Sequence, residues 1–252
     1  MIFPFSGDVK EVSCVLSGAA GLGIQTVEDM LARIVVDSGF SVFGSREYMS
    51  RVRGGNNSTE LRIAPFRVDA LVDRMDILVA LSRNVRENIR ERITPSTLII
   101  GDKEELKGEL EDAGALFVDV PLSRLAAEAG GRIYSNSVAA GILLGILGLG
   151  TEKAEAFFEE RFSGKKGDVA GKNTTACRSG YELGEKLVKG KGLLSGMQAD
   201  LQVGKALING SDAVSLGAMV AGCNFVTAYP MSPATGVLSF FALREFISLS
   251  PT

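Results

Sequence analysis

Glu11-Val-Ser-Cys-Val-Leu16 followed by Ser17-Gly-Ala-Ala-Gly-Leu-Gly-Ile-Gln25 joins a short apolar run to a glycine-rich turn, after which Ile24, Val27, Leu31, Ile34 and Val35 recur at helical spacing. Strand, glycine turn and helix in that order open an α/β unit. Short apolar runs return at 41–43, 76–81, 97–100 and 115–120, and 59–63 alternates as a half-buried strand does. Most of these runs precede charged, helix-favouring stretches such as 84–92 and 103–112. The alternation predicts an α/β fold: an open, three-layer (αβα), mostly parallel sheet with helices on both faces.

From Pro121 the pattern turns helical, over 123–129, 138–149, 153–162 and a less periodic stretch at 167–189. The apolar run 138–149 is well short of the roughly 20 residues of a membrane span. Its glycines suit close helix packing, so it reads as a buried helix. Lys189-Gly-Lys-Gly-Leu-Leu-Ser195 punctuates the chain with glycine and charge and reads as part of a linker. The expected organisation is a first domain at 1–188, a linker at 189–205 and an incomplete second α/β unit at 206–252. In that unit a helix at 211–221, a buried strand at 224–228, a Pro-containing turn at 229–233 and a helix at 235–247 are too little to close a core.

Composition removes whole classes of function. With 27 Lys and Arg against 30 Asp and Glu, the net charge of −3 argues against a nucleic-acid surface, which needs clustered cations. The sequence has no histidine, which excludes any imidazole base or ligand within this chain. Cys14, Cys177 and Cys223 lie far apart, so neither a zinc site nor an iron–sulfur cluster can be built from them, and a metal site is expected on a partner. Residues 1–10 lack the apolar core of a secretory signal, which gives the expectation of a cytoplasmic protein without a membrane association.

Three motifs bear on chemistry. Gly18, Gly21 and Gly23 sit between strand and helix, where backbone N–H groups and the helix dipole suit an anion; a turn needed only for tight packing is the other reading. The order is G-x-x-G-x-G, and Asp37 falls at the end of the first helix instead of after a second strand, so the NAD fingerprint is not met. Arg46, Arg51 and Arg53, with Gly54, Gly55 and Asn56, put guanidinium groups beside a donor-rich turn, suited to phosphate or carboxylate but also to a solvated basic loop. Arg86, Arg90 and Arg92 read as a solvated helix face balanced by Glu87 and Glu91. Tyr229-Pro-Met-Ser-Pro233 is a stiffened turn that presents Ser232 ahead of a helix, as a ligand contact or as an N-cap.

Taken together, these stretches resemble the 2-oxoacid:ferredoxin oxidoreductases. Ser17–Gln25, Phe43-Gly-Ser-Arg-Glu-Tyr48 and Val52-Arg-Gly-Gly-Asn56 are similar, in order and spacing, to the opening blocks of that family's gamma subunit. Tyr134-Ser-Asn-Ser-Val-Ala-Ala140, Gly164-Lys-Lys-Gly167 and Lys172-Asn-Thr-Thr-Ala-Cys-Arg-Ser-Gly-Tyr181 are similar to its later helices. Asn209–Cys223 resembles the start of the family's alpha domain, and Tyr229–Pro233 its Tyr-Pro-Ile-Thr-Pro motif, as in a fused gamma and alpha polypeptide.

The resemblance implies oxidative decarboxylation of a 2-oxoacid with coenzyme A to acyl-CoA and carbon dioxide, with electrons passed through iron–sulfur centres to ferredoxin. Thiamine diphosphate carries the carbanion chemistry. It further implies that Ser232 contacts the substrate, that Tyr229 shapes the turn, and that Gly18, Gly21, Gly23, Gln25, Arg51, Arg53, Gly54, Gly55 and Asn56 serve a coenzyme A phosphate or pantetheine. Thiamine diphosphate, Mg2+ and [4Fe-4S] are expected mostly on a beta subunit and none on this chain alone. The partners implied are that beta subunit, ferredoxin, the 2-oxoacid and coenzyme A, within an oligomer. The family's glutamate that hydrogen-bonds the thiamine ring is expected beyond Thr252, with the chain truncated early in its alpha domain and inactive by itself. A non-catalytic gamma-like assembly or nucleotide-binding module is the alternative.

Overall fold

The structure is a computed structural model that describes residues 9–48, 55–199, 206–229, 231 and 234–243. The chain divides into two compact units, up to residue 203 and from 204 onward.

The first unit opens with β1 (Val12–Ala19), α1 (Ile24–Asp37), β2 (Ser41–Glu47) and β3 (Asn56–Ala64). β4 (Ile77–Ala80), α2 (Glu87–Arg90), β5 (Leu98–Gly101), α3 (Lys103–Leu106), β6 (Leu116–Asp119) and α4 (Leu122–Glu128) follow. After a 3-10 turn at Arg132–Tyr134 come α5 (Ser135–Leu147), α6 (Glu152–Phe162) and α7 (Val169–Leu187). The sheet has the order β2-β3-β1-β4-β5-β6. β1, β4, β5 and β6 pair in parallel, while β3 runs antiparallel to both β1 and β2. The antiparallel pairing of β2 with β3 follows from the short stretch 48–55 between them, because a parallel partner needs a crossover of a dozen or more residues.

Period-2 alternation divides the strands between two cores. Cys14, Leu16, Leu61, Ile63, Ile77, Val79, Leu98 and Ile100 face α1 and α5. Val15, Leu78, Ala80 and Ile99 face the opposite way, onto Ile89, Leu106 and Leu110. The second face is thinly covered, since the expected helices at 84–92 and 103–112 shrink to four residues each. Asn84, Lys107, Gly108 and Leu110 all take positive φ, which breaks the helical run. Nor are Arg86, Arg90 and Arg92 a self-balanced surface. They reach across to Glu47, Glu109 and Glu60, and Arg92 grips the buried Glu60 carboxylate at 2.8 and 2.7 Å.

α5 is buried along nearly its whole length, as its apolar sequence predicts. The stretch expected to be a linker after residue 188 instead packs on it: the Leu193 and Leu194 N–H groups donate to the Ile146 and Leu147 carbonyls, at 2.9 and 3.1 Å. Those carbonyls belong to the last turn of α5 and would otherwise lack donors. No helix among the described residues is long and apolar enough to cross a membrane.

In the second unit, α8 (Gly210–Val220) starts at Asn209, whose side chain accepts the Asp212 N–H at 3.0 Å, and α9 (Ala234–Leu243) packs on α8. The strand expected at 224–228 is irregular chain. A strand exists by pairing, and the described residues of this unit contain no second one. Val220, Phe225 and Tyr229 are exposed by 79 to 87%.

Candidate functional site

β1 ends in the glycine turn because Gly21 and Gly23 take φ of 94° and 72°, a region that side chains disfavour. A Cβ on Gly21 would meet nothing within 4 Å, so conformation alone demands glycine there. A Cβ on Gly23 would also lie 2.6 Å from Asn136 Nδ2. The turn is tied down at its start: the Ala19 N–H donates to Ser82 Oγ at 2.8 Å and the Ala20 N–H to the Gly55 carbonyl at 2.9 Å. Beyond it, the N–H groups of Gly21, Gly23, Ile24 and Gln25 have no acceptor among the described residues. Gly23 occupies the N-cap of α1 without a capping side chain, and the first turn of α1 carries no acidic residue. Four free donors at the positive end of a helix dipole suit an anionic or carbonyl oxygen.

The residues that carry them lie at a cleft of about 240 Å³ between this turn and the ends of β2 and β3. Gly21, Gly23 and Gln25 line it, together with Glu28, Arg46, Tyr48, Asn57, Ser58 and Thr59. Gln25 Nε2 donates to the Tyr48 hydroxyl at 2.7 Å across its mouth. Arg46 is committed, through Nε to Glu28 and through an amino group to Asp29. Burial works to lower the Arg46 pKa, and the hydrogen bonds and charges of Glu28 and Asp29 outweigh it, so the guanidinium stays above its ordinary range. With two carboxylates on one guanidinium, the cluster carries a net negative charge, and attraction for an anion rests on the backbone donors.

Gly18 lies in β1, where a Cβ would meet Leu81, Ile24 and Leu22, and neither it nor Gly55 nor Asn56 lines the cleft. Arg51, Arg53, Gly54 and Ser232 fall outside the described residues. Tyr229 lies in the second unit and is 79% exposed. One later sequence block comes to the turn, where Asn136 meets Gly23, and the neighbouring Ser137 joins it to the next by donating from Oγ to Asn173 Oδ1 at 2.6 Å. Sequence reasoning missed Glu28 as a lining residue, although a signal existed. It falls in the apolar stripe of α1 beside Ile24, Val27 and Leu31, and a carboxylate there requires a buried partner.

The two buried thiols are out of the chemistry. Burial first, then Glu60 and Asp76, pushes Cys14 up to about 12, and burial, then Glu155, raises Cys177 to about 12. Among the described residues no group of three or more His, Cys, Asp or Glu is placed to hold a metal ion.

The pyruvate ferredoxin/flavodoxin oxidoreductase family model matches residues 13–183. The 2-oxoacid:ferredoxin oxidoreductase 2 subunit alpha of Aeropyrum pernix is 23% identical over 95% of this chain and 44% of its own length. The 2-oxoglutarate synthase subunit KorC of Archaeoglobus fulgidus is 25% identical over 72% of this chain and 92% of its own. A solved structure of 2-oxoglutarate:ferredoxin oxidoreductase from Magnetococcus marinus, with 2-oxoglutarate, coenzyme A and succinyl-CoA bound, shares the fold. Its TM-score is 0.75 at 24% identity, over 93% of this chain and 41% of that one. The chain thus spans less than half the length of the alpha subunit it matches. The family match runs from β1 into α7 and covers more than half of the sequence, so the chain belongs to the pyruvate ferredoxin/flavodoxin oxidoreductase family.

Proposed function

We propose that this chain supplies a gamma-type domain and the beginning of an alpha domain to an enzyme that converts a 2-oxoacid and coenzyme A to acyl-CoA and carbon dioxide, with ferredoxin as electron acceptor. The domain division is supported by the two kinds of relative: KorC matches 72% of this chain over nearly all of its own length, and the Aeropyrum alpha subunit continues across 95%. The observation that carries the site is the open N-terminus of α1, where four residues with unaccepted N–H groups line a cleft of about 240 Å³. That volume is below the roughly 300–1,000 Å³ of a pocket for a drug-sized ligand. It suits one phosphate, or the thiol end of a pantetheine arm, and leaves the rest of coenzyme A outside.

In this reading the backbone of Gly21, Gly23, Ile24 and Gln25 binds and orients that group, and Tyr48 narrows the mouth. Arg51, Arg53 and Gly54 would add donors on one side. Ser232 contacts the 2-oxoacid and Tyr229 shapes the turn that presents it. Thiamine diphosphate supplies an electron sink for decarboxylation when bound. The described residues do not suit a magnesium or iron–sulfur site, and the reading assigns both to a beta partner.

The test is coenzyme A-dependent, 2-oxoacid-driven reduction of a viologen dye, run on this chain alone and with a thiamine- and cluster-loaded beta subunit plus the remaining alpha domain. Activity confined to the mixture is expected. Inactivity of a correctly loaded mixture would refute the reading.

A further inference from the structure

Asn56 has the chemistry of a ligand-binding residue but spends it on the protein. It is 7% exposed and does not line the cleft, although its neighbour Asn57 does. Its Nδ2 donates to the Arg83 and Asn84 carbonyls, each at 2.7 Å, which uses both amide hydrogens. Its Oδ1 accepts from Ser82 Oγ at 3.2 Å. The same hydroxyl accepts the Ala19 N–H. Glu109 holds the loop from the far side by accepting the Asn84 and Val85 N–H groups, at 2.7 and 3.0 Å, with Asn84 at a φ of 64°. A chain of hydrogen bonds therefore runs from Glu109 through the loop 82–85 to Asn56, and from Asn56 through Ser82 to Ala19, the last residue before the glycine turn. The Gly55 carbonyl, one residue away, takes the Ala20 N–H.

We infer that Asn56 is a positioning residue. It never touches the ligand, but through Ser82 it fixes Ala19, beside the Gly55 carbonyl that fixes Ala20, and thereby sets the direction of the four free N–H groups that follow. Asn56 also stands opposite Ala19 in the β1–β3 ladder, and Ser82 is the link that its side chain uses. Asn56→Asp is the sharpest probe. It keeps the shape but turns an oxygen towards the Arg83 and Asn84 carbonyls, replacing two donations by repulsion.

The binding consequence rests on the proposed coenzyme A role; the ordering of the turn does not. The experiment measures amide exchange at Ala19 and Ala20 by NMR on the full chain, together with calorimetric titration by coenzyme A. Asn56→Asp, Ser82→Ala, the double variant and Thr97→Ala are compared. Thr97 is the control because its Oγ1 makes a buried bond to the Met75 carbonyl at 2.9 Å, away from the turn. Asn56→Asp is expected to speed exchange at Ala19, whose N–H is held by Ser82 Oγ and not by the Asn56 side chain, on the order of tenfold. The double variant should exchange no faster than Ser82→Ala, because the two act in series. Thr97→Ala should lower the melting temperature while leaving exchange at Ala19 unchanged. Coenzyme A binding should weaken about tenfold in Asn56→Asp. Unchanged exchange in Asn56→Asp, additive effects in the double variant, or unimpaired coenzyme A binding despite faster exchange would each overturn the inference. A wild-type chain that ignores coenzyme A would refute that ligand and leave the exchange comparison to decide the positioning role. If Asn56→Asp fails to fold, Ser82→Ala alone must still speed Ala19 exchange and weaken any coenzyme A binding.

Discussion

Glycine does opposite work in two regions of the first unit. In the turn after β1, Gly21 has nothing where a Cβ would stand, and Gly23 meets a side chain; both are required by φ. Where α5 meets α7, the constraint is space. A Cβ on Gly141 would lie 1.9 Å from the Cys177 carbonyl oxygen, and one on Gly145 2.5 Å from that of Tyr181. From the other side, Gly180 and Gly184 would place theirs 2.0 and 2.2 Å from the Val138 and Ile142 carbonyl oxygens. The contacts ascend together along both helices, so α5 and α7 run the same way with backbones touching. One region uses glycine to free donors for a ligand, and the other uses it to remove side chains between two helices. Substitution by alanine should tell them apart.

Gly141→Ala should have the largest effect. The obstacle is backbone of a facing helix, which cannot rotate away, and helix separation would open the core between Ala139, Ile142 and Ala176. A loss above about 3 kcal/mol is expected, at the upper end of overpacking costs. Thermal melting followed by circular dichroism would read it as a fall of roughly 6–12 °C. A change under about 1 kcal/mol would mean that the helices do not touch backbone to backbone.

Gly23→Ala should come next, at about 1–2 kcal/mol for the left-handed conformation, with an added displacement of Asn136. Because the clash is with a side-chain tip, stability should suffer less than in Gly141→Ala while coenzyme A affinity falls on the order of tenfold. Calorimetry and melting on the same sample separate the two losses. Gly21→Ala should cost about 1 kcal/mol and no more, since only φ opposes it. If Gly21→Ala proves as damaging as Gly23→Ala, crowding by Asn136 adds nothing and the assignment of Gly23 fails.

Much of this was legible in the sequence, for identifiable reasons. Strands β4 and β5 are buried on both faces and read as unbroken apolar runs, and α1 and α5 follow from helical spacing and continuous apolarity. The mostly parallel sheet was legible, but the place of β3 was not, because nothing local shows that it inserts between β2 and β1. In the site, Gly21 and Gly23 stood out because a glycine turn between strand and helix has few other uses. Asn56 drew notice for the right chemistry and the wrong target: its partners Arg83 and Asn84 are 27 and 28 residues away, beyond any local pattern. The packing of the first linker residues was missed similarly, since Gly192 looks like flexibility until Gly148 is seen beside it, with a Cβ on Gly192 only 2.2 Å from the Gly148 Cα.

The smallest expected effect is opposite in sign and comes from the second unit. Gly217 lies inside α8 with ordinary φ, is exposed, and has nothing within 4 Å of where a Cβ would be, so neither reason for glycine in the first unit applies. Gly217→Ala should stabilise α8 by about 0.5–1 kcal/mol, by removing the entropy cost of glycine in a helix. The readout is slower amide exchange at Ala218 to Val220, with exchange at Ala19 and Ala20 unchanged. Slower exchange would show that α8 in this chain is limited by helix propensity. Faster exchange would mean that α8 packs on something through Gly217, as α5 does on α7 through Gly141.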